Sequence, residues 1–98
     1  PEENQPIGSY LDANRFSSST VDLYFGMTHP NVKKLQHLLN SLGYTLAESG
    51  PGSIGNETNY FGTLTQTALI KYQKDNNIVP AVGYCGPITR ASFALKGF

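Results

Sequence analysis

The chain has 98 residues, enough for one domain and too few for two. Seven basic side chains balance seven acidic ones, so the basic excess of a nucleic-acid binder or a binder of anionic membrane surfaces is absent. Charged residues make up only 14%, against roughly 25% in ordinary soluble domains. Surface polarity therefore falls to Ser, Thr, Asn, Gln and Gly, which suit uncharged, hydroxyl-rich partners.

No apolar run approaches the roughly 18 residues that a membrane span needs. The single cysteine, Cys85, excludes an intrachain disulfide framework. The start, Pro1-Glu2-Glu3-Asn4, carries neither an initiator Met nor a signal-peptide pattern. It reads as a piece of a longer protein whose signal peptide could have been lost.

Residues 1–20 are rich in Glu, Asn, Ser and Pro, and Ser17-Ser18-Ser19-Thr20 is a linker-like string. This segment is expected to be extended or partly disordered, with the domain proper spanning 21–98. Val21, Leu23, Tyr24 and Phe25 are expected to dock on the helices and mark the domain start.

The first helix is predicted over 32–42, with Asn31 as N-cap. Val32, Leu35, Leu39 and Leu42 form its apolar stripe, with Leu38 at the edge. Lys33, His37 and Ser41 face away, and Gly43 stands where a left-handed stop belongs. Residues 45–59 hold turn formers and no surviving period. So long a connection in so small a domain is functional or disordered.

A second helix is expected from about Thr63 to Asn76. Leu64, Ala68 and Tyr72 share its inner face, Thr65 and Leu69 flank them, and Ile70 lies opposite. Asn77 and Pro80 end it. A third helix runs from about Pro87 to Leu95, with Pro in the first turn, where a missing N–H is harmless.

An internal repeat joins these pieces. Tyr60-Phe61-Gly62-Thr63-Leu64-Thr65 reappears as Tyr84-Cys85-Gly86-Pro87-Ile88-Thr89, and Ala68-Leu69 as Ser92-Phe93. Two copies are too few for a solenoid. They point to an all-α, compact three-helix bundle with an internal pseudo-repeat and a long loop between helices 1 and 2. Each unit places an aromatic or soft apolar residue before a Gly that tolerates unusual backbone angles or close approach. A Thr three residues later can bond back to the exposed helix start.

The series Gly26…Asn31-Val32…Leu35-Gln36…Leu39…Gly43-Tyr44, then Tyr60-Phe61-Gly62…Thr65…Ala68-Leu69…Tyr72-Gln73, then Val82-Gly83-Tyr84-Cys85-Gly86-Pro87…Thr89 resembles the peptidoglycan-binding-like domain. The resemblance covers about residues 23–95. It implies a three-helix module, often appended to wall hydrolases or other secreted proteins. Two departures stand out. The loop before Phe61 is long and lacks the family's usual Asp-Gly, and Cys85 replaces an aliphatic or aromatic residue.

The implied function is non-catalytic binding of peptidoglycan or its fragments, targeting a larger secreted or surface protein, bacterial and extracellular or wall-associated. The alternative is a structural spacer or protein–protein interaction module with the same fold. The chain is expected to be monomeric, with no cofactor, no nucleic-acid partner and no membrane insertion.

Candidate ligand-binding residues are Tyr44, Tyr60, Tyr84, Arg90, Thr65 and Thr89. The tyrosines pair an apolar face with a polar handle suited to sugars and peptide stems. Arg90 suits a stem-peptide carboxylate, although a solvated surface Arg is the plainer reading. Thr65 and Thr89 are expected first to cap their own helices. Phe61 and Cys85 read as core.

No catalytic residues emerge. Glu48 and Glu57 share a Gly-rich loop that is a poor frame for a paired-carboxylate hydrolase. His29, His37 and Cys85 lack metal-ligand spacing.

Overall fold

The computed structural model describes residues 15–98. The expected tail over residues 1–14 lies outside the described residues. Three helices are present: α1, Pro30–Ser41; α2, Thr63–Asp75; and α3, Pro87–Leu95. Among the described residues the only β pairing is two isolated antiparallel bridges, Leu23 with Cys85 and Thr28 with Tyr60.

α1 starts two residues earlier than the spacing predicts. Pro30 occupies its first turn, and His29 is the N-cap, its Nδ1 accepting from the Asn31 N–H at 3.0 Å. Asn31 is therefore inside the helix, because Pro30 pre-sets the helical φ and the cap moves two places upstream. The stop is at the predicted place. Gly43 has φ +94°, the Tyr44 N–H bonds to the Leu39 carbonyl (2.8 Å) and the Gly43 N–H to that of Asn40 (3.1 Å). This paired closure satisfies carbonyls that the helix end would otherwise leave open. Asn77, with φ +57°, closes α2 in the same way: the Ile78 N–H bonds to the Gln73 carbonyl at 2.9 Å.

The core takes Val32, Leu35, Leu38 and Leu39 from α1, Ala68, Leu69 and Tyr72 from α2, and Phe93 from α3. Leu23, Phe61 and Cys85 fill it from the connecting segments. The Tyr72 ring stacks on Phe93 with centroids 4.4 Å apart. Each such side chain removed from water stabilises the fold by roughly 1.5–3 kcal/mol. Leu42 is only partly buried, and Leu64 is 49% exposed.

The long loop is built on one side chain. The Asn40 amide donates to the Gly52 carbonyl (3.0 Å) and to Glu57 Oε2 (2.9 Å), and its oxygen accepts from the Leu46 N–H (2.9 Å). Leu46 and Ser53 are buried beneath it. Within residues 15–20, part of the segment expected to be linker, the chain packs on α3. Phe16–Ser18 forms a 3-10 turn, and the Phe16 ring meets Phe93 edge-on at 5.6 Å.

Candidate functional site

The two repeat units share one hydrogen-bonding device. The Gln36 amide of α1 donates to the Tyr60 carbonyl and to the Thr65 hydroxyl, each at 2.9 Å, while its oxygen accepts from the Thr58 N–H at 2.7 Å. The Gln73 amide of α2 donates to the Tyr84 carbonyl (2.9 Å) and the Thr89 hydroxyl (3.1 Å), and accepts from the Gly83 N–H (2.8 Å). Each glutamine thus holds the turn and first helical residues of the next unit. Both glutamines and both threonines are buried, so each bond replaces water that could not reach these groups.

Thr65 and Thr89 therefore do not cap their helices. The N-caps are Gly62 and Gly86, with no side-chain cap bond. Their φ values, −107° and −104°, are ordinary extended backbone. Glycine there leaves room for a ring. A Cβ on Gly62 would stand 2.8 Å from the Tyr60 ring, and one on Gly86 3.2 Å from the Tyr84 ring. Each tyrosine lies across its own helix start.

A strap over residues 21–28 crosses both helix starts. Leu23 exchanges backbone bonds with Cys85 (3.0 and 2.8 Å), the Gly26 N–H reaches the Phe61 carbonyl (2.8 Å), and the Phe61 N–H reaches that of Met27 (2.9 Å). Arg90 latches it from below, donating to the Val21 carbonyl (2.9 Å) and to Asp22 Oδ1 (2.7 Å). Asp22 Oδ2 accepts from the Tyr84 hydroxyl at 2.6 Å. The Tyr84 hydroxyl and the Arg90 guanidinium hold the Asp22 carboxyl below its ordinary range, and Asp22 raises the Tyr84 phenol.

The outcome is an exposed aromatic surface. Tyr24 lies parallel to Tyr84 with centroids 5.6 Å apart. Tyr24, Phe25 and Tyr84 remain 47%, 52% and 44% exposed, too much for core residues. With Gln66, Val82 and Gly83 they line an open groove of about 540 Å³. Tyr60, 51% exposed, lines a second groove of about 230 Å³ beside the exposed Leu64.

Of the sequence-predicted residues, Tyr60 and Tyr84 reach this surface. Thr65 and Thr89 lie beneath it. Arg90 is 7% exposed and committed to the strap, so it is neither a solvated arginine nor open to a carboxylate ligand. Tyr44 gives its hydroxyl to Asp75 Oδ2 at 2.8 Å, at the last residue of α2. Tyr60 stands at the first turn of the same helix, roughly 18 Å away at 1.5 Å per residue. The two do not share a site.

Tyr24 and Phe25 were expected to dock on the helices, and of that group only Leu23 does. The turn signal of Gly26, φ +94°, marks where the strap leaves the alternation that would have turned Phe25 inward. Cys85 is buried, and burial pushes its thiol up to about 12, which makes it a poor nucleophile. Glu57 is held below its ordinary range, first by the Asn40 amide, and is engaged in shaping the loop. Among the described residues no cluster of three His, Cys, Asp or Glu side chains could hold a metal.

A fold of three helices, the duplicated glutamine clamp and an exposed aromatic face define a small three-helix module. The family model described as "Putative peptidoglycan binding domain" matches residues 28–92, and the chain belongs to that family. No curated protein and no solved structure matches the chain.

Proposed function

We propose that the domain binds peptidoglycan through the surface carried by Tyr24, Phe25, Tyr60 and Tyr84, does no catalysis, and holds a larger secreted bacterial protein at the cell wall. The observation that carries this reading is the exposed, latched pair Tyr24 and Tyr84 over an open groove, in a chain of the peptidoglycan-binding family. Aromatic faces of this kind pack on the apolar faces of sugar rings, and the hydroxyls around them hydrogen-bond at the rim. The surface is pre-formed, because Arg90 and Asp22 fix the strap, so little ordering entropy is lost on binding. With no Trp in the chain, one module binds weakly and gains by avidity within a longer polypeptide.

Co-sedimentation of the purified chain with insoluble sacculi tests this. Saturable pull-down is expected, reduced at least about tenfold, or roughly 1.4 kcal/mol, in a Tyr24→Ala/Phe25→Ala variant that keeps the parent's far-UV spectrum. Parent-like pull-down by that variant would remove the aromatic surface from the account. The absence of any pull-down would leave the spacer or protein-interaction role in its place.

A further inference from the structure

A different face carries charge. Lys33, Lys34 and His37 stand on the exposed side of α1 and, together with Arg15, line a groove of about 670 Å³. Its floor is apolar, with Leu38 from α1 and the partly buried rings of Phe16 and Phe98. Among the described residues neither lysine has a carboxylate within ion-pair distance. The one acid lining the groove, Glu57, is 3.6 Å from His37 and takes the Asn40 amide and the Gly55 N–H. The groove therefore offers two uncompensated ammonium groups over an apolar floor in a chain whose net charge is zero.

The groove is continuous with the surface already described. Asn59 lines it, and its carbonyl accepts the His29 N–H at 2.9 Å. The next residue, Tyr60, pairs with Thr28 and belongs to the aromatic side. Successive side chains of an extended segment point to opposite sides. One chain segment thus divides a neutral aromatic face from a cationic groove.

We propose that the α1 groove binds the acidic peptide stem of peptidoglycan, with Lys33 and Lys34 facing its carboxylates and Leu38, Phe16 and Phe98 facing its alanine methyl groups. This rests on the wall-binding reading and deepens it: the glycan lies on the aromatic face and the stem crosses Asn59 into the groove. Charge complementarity selects this occupant, since a neutral sugar gains nothing from two ammonium groups, whereas a short peptide bearing carboxylates and methyls uses both the rim and the floor. Contacts between exposed charges are modest and weaken with salt, so stem binding falls as salt rises while glycan binding does not.

The test is a titration of the full chain with four probes: a free acidic stem tetrapeptide, the same peptide with its carboxylates amidated, glycan strands stripped of peptide, and soluble poly(glycerol phosphate). The acidic stem is expected to bind, and amidation or a Lys33→Ala/Lys34→Ala substitution to weaken it about tenfold. Both exposed alanines are compatible with a helix, and an unchanged thermal midpoint checks the fold. Glycan strands are expected to bind parent and variant equally.

Equal binding of amidated and acidic stems, or parent-like stem binding by the variant, would overturn the proposal, as would tighter lysine-dependent binding of the phosphodiester polymer. In those cases glycan binding would still stand. Loss of glycan, stem and sacculus binding together would instead mean that the wall-binding reading itself had failed.

Discussion

The two helix starts are the same device built from different side chains. In the first, Phe61 fills the core beneath the turn and Leu69 follows eight residues later on α2. In the second, Cys85 and Phe93 take those places. The aromatic ring has moved from the turn to the helix, and the smaller Cys85 stands where the first unit has Phe61. Gln36 and Gln73 make matching sets of bonds in both units. The units part at the next position. Gln66 of the first lies half-buried beside the aromatic groove, whereas Arg90 of the second is buried and grips the strap. The clamp thus sets the fold, and the residues around it are free to specialise.

The largest expected effect comes from removing either clamp. Gln36→Leu and Gln73→Leu each leave a partly buried carbonyl, an N–H and a buried hydroxyl without their partner, and each is expected to cost about 3 kcal/mol. In a domain of this size that lowers the thermal midpoint by more than about 10 °C. The two losses are expected to agree within about 1 kcal/mol. A severe loss in one and a trivial loss in the other would break the equivalence of the units.

The glycines sharpen the comparison. Gly83 has φ +80°, and a Cβ there would stand 2.7 Å from Gln66 Cγ and 3.3 Å from the Gln66 carbonyl oxygen. Gly83→Ala is expected to cost about 2 kcal/mol. Gly62→Ala and Gly86→Ala meet only tyrosine rings at partly exposed positions; the Tyr60 ring can swing aside, and the latched Tyr84 ring need shift by only a few tenths of an ångström. These two are expected to cost about 1 kcal/mol or less, while displacing the ring and weakening sacculus binding. Denaturant midpoints and co-sedimentation on the same samples separate the two effects.

Acid gives the smallest effect. Asp22 and Glu57 both have folded values held below their ordinary values of 3.8 and 4.5. Carboxylates of this kind stabilise the fold above the unfolded value and lose that contribution as pH falls through the folded one. The thermal midpoint is therefore expected to be flat above about pH 5 and to decline below it. An Asp22→Asn/Glu57→Gln variant should start lower and decline less. A decline as steep as the parent's would place the acid sensitivity elsewhere.

Much of the fold was legible in the sequence. Gly43 and Asn77 stop their helices where expected, and the stripe of Val32, Leu35 and Leu39 faces the core. The offset repeat located both helix starts. The clamps were not legible: Gln36 and Gln73 stood out only within the family resemblance, and their partners lie 22–29 and 10–16 residues further along the chain. The burial of Arg90 was hidden for a similar reason. Its partners, Val21 and Asp22, lie 69 and 68 residues away, in a strap whose path no local pattern fixes. Tyr24 and Phe25 were misplaced because aromatic residues in an apolar run ordinarily signal core, while the turn at Gly26 leaves them outside.

The central claim is that ligand meets the face built by the strap and the two helix starts. It is tested most directly by following the backbone amides of the isotopically labelled full chain while soluble peptidoglycan fragments are added. The account predicts saturable shifts concentrated at Tyr24, Phe25, Tyr60, Gly83 and Tyr84, with the amides around Tyr44 and Asp75 unmoved. Shifts confined to the Tyr44 end of α2, or none at millimolar fragment, would contradict it.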